Sequence, residues 1–429
     1  MRLRRRQTIG RAGVTALCAL CLAVPALAGS DLSTGDGSQS DNDRLLPGVY
    51  PQEPVLTDNT WLREPYDPFF DVDWSVALRG TYTKQTDGER FDTRLVPSVS
   101  LEHIGSRSAV NFDATAEIIR PNDTGTIDIS ALRLGLQTGY ALDSETRLSA
   151  GGNLSVTRAT PGTPGLASDI AEASQTISGD VDVGIARSFG KFNVAVTGGV
   201  GRNIYGPTTL VDGTVRQNYD SNYTSLDAGL RVGFQATPIL EVFGQAALGR
   251  DIFDHTSSVL NVSTDANDAT LRAGVTGRWN DTLEATASAG LGLRRFDEAS
   301  LGEVVTQLYD ANLVFTPDST WRMVAGLTTT VAPPGADNAG TTRVEYGANA
   351  QVAYTVNSWL ALRALADWRS ARFEGSNATE TGYGLGAGAD YRLNKHTAIN
   401  ADYGFDHSDS TADGAQDAHR VTLGVTVSR

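Results

Sequence analysis

The chain has 429 residues, with 35 lysines and arginines against 50 aspartates and glutamates, a formal net charge of -15 and a mean hydropathy of -0.21. This acidic excess argues against a nucleic-acid partner. Beyond the first 28 residues, no segment approaches the roughly 20 apolar residues of a membrane-spanning helix, which excludes a helical membrane protein.

Residues 1–28 have the order of a secretion signal. Arginines without any acid open the chain, and an apolar stretch follows from Ala12 to Val24. The small residues of Ala26-Leu27-Ala28 suit a signal peptidase, so we expect cleavage near Ala28. A lipoprotein signal is the alternative because Cys18 and Cys21 lie nearby, but the leucine before each cysteine is bulkier than that signal prefers.

Removal of this signal would change the composition of the mature chain. Loss of its five arginines lowers the formal charge from -15 to -20, and both cysteines leave with it. The mature protein is therefore expected to have no disulfide, no cysteine-ligated metal and no thiol nucleophile.

Residues 29–69 form the next predicted segment. Between Ser30 and Thr60 they are rich in Asp, Ser, Gly and Pro and follow neither a helical nor a strand period. We expect a disordered periplasmic leader here.

From about Asp71 onward, apolar and polar residues alternate in segments of strand length. Leu226, Leu230 and Phe234, for example, share one face of a predicted strand, and Arg231 lies on the other. About eighteen such segments, in a range of roughly 16–20, follow one another through residues 70–429. The fold class we predict is all-β, a transmembrane up-and-down antiparallel β-barrel.

The connections between these segments alternate in length. Very short turns, such as Gly190-Lys191 and Asn280-Asp281, are followed by longer polar loops, such as Tyr205 to Asn222 and Ala332 to Gly340. This asymmetry predicts short periplasmic turns and longer extracellular loops.

Two irregularities interrupt the alternation. The apolar phase changes between Ile129 and Leu132, which predicts a β-bulge near Ala131. Pro97 lies in the middle of a predicted strand, where it removes a ladder donor.

A soluble β-sandwich would also alternate apolar and polar residues. Long strands and strictly alternating connections favour the barrel, and so do aromatic residues at strand ends on the apolar face. Trp74, Tyr140, Trp279, Trp321 and Trp368 are examples of these aromatic residues.

The polar phase supplies the candidate lumen-lining residues, which carry both signs of charge in similar number. They are Arg79, Arg94, Asp113, Glu117, Arg133, Asp180, Asp182, Arg231, Glu241, Arg272, Arg278, Glu284, Arg294, Arg322, Glu345, Arg363, Asp367, Asp390, Arg392 and Asp402. In one interpretation, these charges pair across neighbouring strands and stabilise a hydrated wall. In the other, some arginines bind acidic sugar groups, with Phe243 as one of few aromatic platforms in the polar phase.

Further acids are expected in the extracellular loops: Asp251, Asp254, Asp265, Asp268, Asp297, Glu298, Asp406, Asp409 and Asp413. Clustered carboxylates can bind Ca²⁺ or Mg²⁺, but none of these segments has the spacing of a dedicated calcium loop. Solvated charge is the favoured interpretation, and we predict neither a metal site nor a cofactor.

An enzyme is disfavoured. His255 and His407 fall near predicted loops with Ser257 and Ser408 close in sequence, but no strained nucleophile turn is present. Glycines at 382, 384, 386 and 388 have strand spacing, so they indicate small wall positions or curvature instead of a phosphate-binding loop.

Several short motifs resemble a family of outer-membrane β-barrel porins that occurs with surface-polysaccharide (exopolysaccharide) loci in Gram-negative bacteria. They are Tyr66-Asp67-Pro68, Leu95-Val96-Pro97-Ser98-Val99-Ser100-Leu101, Asn111-Phe112-Asp113-Ala114, Leu393-Asn394-Lys395-His396 and His419-Arg420-Val421-Thr422-Leu423-Gly424-Val425. The resemblance implies a porin-like barrel and an outer-membrane role in polysaccharide export, and it supplies no catalytic motif. The chain departs from outer-membrane barrels in general by ending Val427-Ser428-Arg429, where an aromatic residue usually serves recognition by the assembly machinery.

Two functions follow as hypotheses. The first is a polar pore in the outer membrane, serving polysaccharide export. The second is a plugged structural or adhesive barrel without transport. The expected partners in both cases are outer-membrane lipid, lipopolysaccharide and the barrel-assembly machinery, with polysaccharide-export proteins added in the first.

Overall fold

The computed structural model describes residues 70–429 apart from 87, 123–124, 126, 161–165, 168, 281, 339 and 412–413. The expected signal peptide (1–28) and leader (29–69) lie outside the described residues. Within the described residues, helical structure is limited to two 3-10 turns, Tyr219–Ser221 and Ala299–Leu301, and no helix has the length and apolarity to span a membrane.

In the part of the chain that the structure describes, eighteen long strands make up one sheet. They are β1 (Asp71–Gln85), β2 (Gly88–Ile104), β3 (Ser108–Pro121), β4 (Asp128–Ala141), β5 (Thr146–Arg158), β7 (Gln175–Phe189), β8 (Phe192–Tyr205), β11 (Tyr223–Thr237), β12 (Leu240–Phe253), β13 (Ala266–Trp279), β14 (Leu283–Phe296), β15 (Glu303–Phe315), β16 (Trp321–Ala332), β17 (Thr342–Thr355), β18 (Leu360–Glu374), β19 (Thr379–Asn394), β20 (Thr397–Ser410) and β21 (Gly414–Ser428). Three short strands lie outside that sheet: β6 (Ile170–Glu172), β9 (Thr208–Leu210) and β10 (Val215–Arg216).

The sheet closes into a barrel. Each long strand pairs antiparallel with the next one along the chain, and β21 pairs with β1, from Ser75 opposite Ser428 to Gln85 opposite Ala418. Closure leaves no free edge at the two ends of the sheet. The predicted barrel of about eighteen antiparallel strands is confirmed.

The apolar phase of each strand faces outward. On β1, Leu78 is 55% exposed and Val76 37%, whereas their neighbours Ala77 and Thr81 are 2% and 1% exposed. Side chains alternate between the two faces of a strand, so the exposed apolar set forms the outer wall. In a bilayer this wall faces hydrocarbon, and the enclosed space holds the polar phase.

Aromatic side chains on the outer wall lie near strand ends. Trp321 and Tyr354 stack with ring centroids 4.4 Å apart close to one rim, and Phe192 and Phe234 approach to 5.1 Å at the same rim. Trp368, on β18, lies nearer the other rim and is 42% exposed. The two belts match the interfacial girdles of a membrane barrel.

The short turns are held by aspartate and asparagine side chains and by left-handed residues. Asp318 accepts hydrogen bonds from the backbone of Thr320 and Trp321, and Asp143 accepts them from the backbone of Glu145 and of Thr146, the first residue of β5. Gly190 and Asn280 have φ values of 61° and 52°, which glycine and asparagine tolerate best.

Both predicted irregularities occur. Glu117 of β3 pairs with Ala131, while Ile118 pairs with Ile129, so Ser130 is the extra residue of a bulge in β4. Pairing between β2 and β3 skips Val96 and Pro97, as expected where proline lacks the ladder N–H.

Candidate functional site: the lumen wall and the extracellular mouth

All twenty candidate residues from the polar phase project inward. Arg79 lies in register with Arg94 on the inner face of β1 and β2, and Arg363, Asp390 and Asp402 lie on the inner face of β18, β19 and β20. The apolar neighbours of each candidate lie in the outward phase. That the twenty residues line a conducting path stays a prediction.

Many of these charges pair along the wall. Arg94 lies 2.7 Å from Glu117 on the next strand, and Arg231 lies 2.8 Å from Glu241. Arg278 contacts Glu284 at 3.1 Å. These contacts support the interpretation in which cross-strand pairs stabilise a hydrated wall.

Arg363 makes the most extended of these contacts. From β18 its guanidinium donates to Asp390 on β19 and to Asp402 on β20, so the side chain crosses a whole strand. It does so over Gly388, where an added Cβ would overlap Asp402 and lie 2.8 Å from Arg363 Nε. A glycine on the intervening strand therefore allows an arginine to lie flat on the wall.

The same arrangement recurs around the barrel. Asp182 lies over Gly151, Asp227 lies over Gly199, and the Arg79 side chain lies over Gly424, each within 3 Å of where a Cβ would stand. These charged side chains thus follow the wall and do not extend across the lumen. The strand-spaced glycines of β19 face inward and have this role beside β18.

The inward carboxylates of β7 and β11 lie apart from the ion-paired groups. Asp180 and Asp182 of β7 and Asp227 of β11 flank the glycines of β8, and no ion-pair contact within 4.0 Å links them to a described arginine or lysine. Asp180 accepts a hydrogen bond from Asn153. We refer to Asp180, Asp182 and Asp227 as the acidic strip.

Phe243 faces inward, but its ring is covered. The guanidinium carbon of Arg231 lies 4.1 Å from the ring centroid, and the residue is only 6% exposed. A cation–π contact of this kind occupies the ring face that a sugar would need.

Several acids predicted in loops lie elsewhere. Asp251 and Asp268 belong to β12 and β13, where both face inward and contact the buried Arg294 at 2.7 and 2.9 Å. Asp406 belongs to β20 and pairs with Arg420. The prediction of solvated loop charge is wrong for these three residues, because the strands extend several residues beyond the ends that polarity suggested. Asp409 also belongs to β20 and not to a loop, and Asp413 lies outside the described residues.

Among the acids that do lie in loops, Asp254 and Asp297 form ion pairs. Asp254 accepts two hydrogen bonds from Arg202, and these hold the pKa of the Asp254 carboxyl below its usual range. Asp297 contacts Arg250 at 2.9 Å. The described residues contain no group of three or more His, Cys, Asp or Glu side chains placed to hold a metal ion.

The histidines considered for catalysis are not arranged for it. His407 pairs with Asp417 at 2.7 Å on the outer face, whereas the neighbouring Ser408 is buried in the inward phase. His255 packs against the ring of Tyr219 at 5.2 Å. A serine nucleophile and a histidine base would need to share one face and one hydrogen bond.

Three extracellular loops meet at the mouth of the barrel. The loop between β8 and β11 contributes β9 and β10, and β9 also pairs with β6 from the loop between β5 and β7. The third loop, between β16 and β17, reaches this small sheet through Asp337. Its carboxylate accepts a hydrogen bond from Thr208 at 2.5 Å and contacts Arg216 at 3.0 Å.

This contact, which we call the mouth latch, joins distant parts of the wall. It consists of Asp337 on one side and of Thr208 and Arg216 on the other. Five barrel strands separate β8 from β16 around the ring. Gly335 in the same loop lies close to the hydroxyl of Tyr205, since a Cβ there would be 3.7 Å from it. The loop therefore extends over part of the lumen opening.

The hydrogen-bonded ladder between β15 and β16 covers only part of the two strands. The ladder runs from Phe315 opposite Met323 only to Ala311 opposite Leu327. Next to it, the Thr329 hydroxyl inserts between the strands, accepting from the Tyr309 N–H at 2.9 Å and donating to the Tyr309 carbonyl. We refer to the stretch beyond this point as the open seam.

Burial shows on which side of β15 the hairpin formed by β16 and β17 lies. Thr342 and Val344, in the outward phase of β17, are 0% exposed, although Val305 in the outward phase of β15 is 61% exposed. On the inner face, Leu308 of β15 and Phe296 of β14 are 1% and 4% exposed. The extracellular ends of β16 and β17 thus lie inside β15, toward the lumen.

The family model described as "Putative beta-barrel porin 2" matches residues 74–429, nearly the whole of the barrel. The chain belongs to this porin family. The porin is accordingly an outer-membrane β-barrel and not an enzyme, in agreement with the prediction from its sequence. No curated protein matches the chain.

Solved structures similar to this porin include proteins of Pseudomonas aeruginosa. OpdK with vanillate has 11% identity and a TM-score of 0.43, covering 84% of this chain and 99% of its own. OccK5 (OpdH) has 10% identity and a TM-score of 0.39, covering 84% and 98%. At these scores the likeness says nothing about which solute passes through this porin.

Proposed function

We propose that this porin is a pore for small polar solutes, narrowed at its extracellular mouth. One observation carries the proposal: several inward charged side chains lie along the wall over glycines, as Arg363 does over Gly388. An eighteen-stranded barrel is wide enough for an aqueous channel when side chains do not fill it. Arginines that lie along the wall leave the width of the lumen open for such a channel.

Ion selectivity should be weak. Inward arginines and inward acids occur in similar number, and many pairs neutralise each other locally, as Arg231 and Glu241 do. A wall with both signs forms no single-sign filter. In the acidic strip, negative charge is left without a cation within ion-pair distance.

Polysaccharide export is a second proposal, and it rests on the family resemblance alone. A sugar polymer would need aromatic faces open to the lumen, whereas Phe243 is covered by Arg231. The inward aromatics Tyr205, Tyr223 and Phe373 lie at extracellular strand ends and are 0–5% exposed. These contacts favour small solutes over a polymer.

Planar bilayers test the pore directly. The purified porin should give steady, ohmic single-channel steps in KCl, and proteoliposomes containing it should admit small sugars faster than long oligosaccharides. A folded, heat-modifiable barrel that gives no current would instead support the plugged structural or adhesive barrel. Uptake that rises with oligosaccharide length would favour the export proposal.

The partners we propose are outer-membrane lipid, lipopolysaccharide and the barrel-assembly machinery. The outward aromatic belts, with Trp368 and Trp321 as members, support contact with lipid head groups at both interfaces.

A further inference from the structure

The open seam leaves backbone groups without ladder partners. Extending the register of Ala311 with Leu327 would place Gln307 opposite Val331, but no such pair forms. The β16-facing backbone of residues 303–308 therefore has no ladder partner in the described chain. Within a membrane wall, unpaired strand edges are unfavourable, which creates a tendency for this seam to close.

Closure of the seam is limited in length. The extended register places Pro333 opposite Val305, and proline cannot donate to a ladder. Only the short stretch between Tyr309 and that proline could zip. Pairing of this stretch with β16 would thus add only a few ladder hydrogen bonds.

The mouth latch opposes closure. Zipping β16 onto β15 would carry the loop of Asp337 back into the wall and away from Thr208 and Arg216. The ion pair and hydrogen bond of the latch would be lost, together with the buried contacts of Val344 and Leu308. The two arrangements exclude each other, and each satisfies groups that the other leaves unpaired.

We propose that the β16–β17 hairpin is a gate with two positions. In the latched position its tip contacts the β8–β11 loop and narrows the mouth, as in the structure described. In the zipped position its extracellular end pairs with β15, and the mouth is wider. The effect on conduction rests on the proposed pore function, whereas the two positions themselves do not.

Cysteine pairs can trap each position, because residues 29–429 contain no cysteine. The pair Thr208→Cys with Asp337→Cys would lock the latch, and the pair Gln307→Cys with Val331→Cys would lock the zipped seam. Antiparallel partners in a ladder have Cα separations that a disulfide can bridge. We expect both pairs to oxidise in the folded full-length porin, as detected by mass spectrometry of the linked peptides.

A matched control uses the paired part of the same seam. Ala311→Cys with Leu327→Cys should oxidise fully and leave single-channel conductance unchanged, since these residues already pair. Conductance of the latch-locked porin should be several-fold lower than that of the seam-locked porin. Reduction should return the seam-locked porin, which keeps the latch residues, to the wild-type value, and it should raise the conductance of the latch-locked porin. Asp337→Ala, which removes the latch carboxylate, should speed oxidation of the Gln307 and Val331 cysteines.

Two results would overturn the gate. One is a seam pair that never oxidises, even with Asp337→Ala, while the control pair oxidises fully. The other is equal conductance for the two locked forms. If no form conducts, the pore proposal fails, and the cross-linking yields still decide whether the hairpin takes two positions.

Discussion

At the scale of single residues, inward-facing glycines determine where charged side chains of neighbouring strands can lie along the lumen wall. Arg363 reaches Asp402 because β19 has no side chain at residue 388, and Asp227 lies over Gly199 for the same reason. In a sheet, a side chain normally meets only its direct cross-strand neighbours. A glycine between two strands lengthens that reach to the second strand.

Gly388→Ala should disrupt the Arg363 bridge and lower stability. The new methyl group would overlap Asp402 Oδ1 and would lie 2.8 Å from Arg363 Nε, so both side chains must move. Overpacking of this kind costs about 1–3 kcal/mol. Urea unfolding of the detergent-folded barrel, followed by heat-modifiability on gels, measures the change. Gly139→Ala is the control, because a Cβ there meets nothing within 4 Å; equal loss for both variants would contradict this account.

The periplasmic turn at Asp318 should make stability depend on pH. Hydrogen bonds from the Thr320 hydroxyl and N–H and from the Trp321 N–H lower the pKa of the Asp318 carboxyl. A lowered folded-state pKa stabilises the fold above the unfolded value, about 3.9, and this contribution disappears as pH falls through the folded value.

Asp318→Ala should therefore lower the urea midpoint at pH 7, and the difference from the wild-type midpoint should shrink as the pH falls below about 4. Unfolding curves at several pH values measure both effects. A difference that stays constant down to pH 2 would show that the carboxylate charge has no part in holding this turn.

At the scale of strands, departures from regular pairing have separate causes. The bulge at Ser130 and the gap at Pro97 follow from local sequence. The open seam does not, since β15 and β16 alternate normally. It arises where β16 follows the hairpin inward, and the Thr329 hydroxyl takes the place of a ladder partner for Tyr309.

Thr329→Val should destabilise this junction. The variant keeps the shape of the side chain but leaves the Tyr309 N–H and carbonyl without their partner, at a cost of about 1–3 kcal/mol. A lower urea midpoint would report the loss. Thr328→Val, on the inward face of the same strand, is the control; a loss as large in this variant would mean that the hydroxyl at 329 has no special role.

At the scale of the whole molecule, charge is distributed unevenly around the lumen. The acidic strip lies on β7 and β11, and the Arg363 bridge lies on β18 to β20, on the far side of the ring. The first region has no adjacent cation, whereas in the second region both carboxylates contact the guanidinium of Arg363. A permeating ion therefore meets different potentials on the two sides.

Replacing the strip by Asp180→Asn, Asp182→Asn and Asp227→Asn should shift selectivity toward anions. Three carboxylates that attract cations would be lost without a change in shape or in strand pairing. The reversal potential in a KCl gradient measures this shift. Asp390→Asn, which removes a carboxylate already paired with Arg363, is the control; an equal shift in the control would show that pairing does not screen the wall.

The sequence by itself determined the alternation, the strand number, the bulge near Ala131 and the inward phase of the charged residues. These follow from a period of two residues along each strand, and the pattern is read from neighbours such as Leu226 and Asp227. Three other features could be found only from the register between strands. They are the contact of Arg231 with the Phe243 ring, the inward position of Asp251 and the partners of Arg363.

Only the tertiary structure decided the form of the mouth. Thr208 and Asp337 are 129 residues apart, and their contact depends on closure of the ring and on the inward lean of β16 and β17. A local period contains no information about contacts across an enclosed space. For this reason the outer wall could be predicted residue by residue, while the latch and the open seam could not.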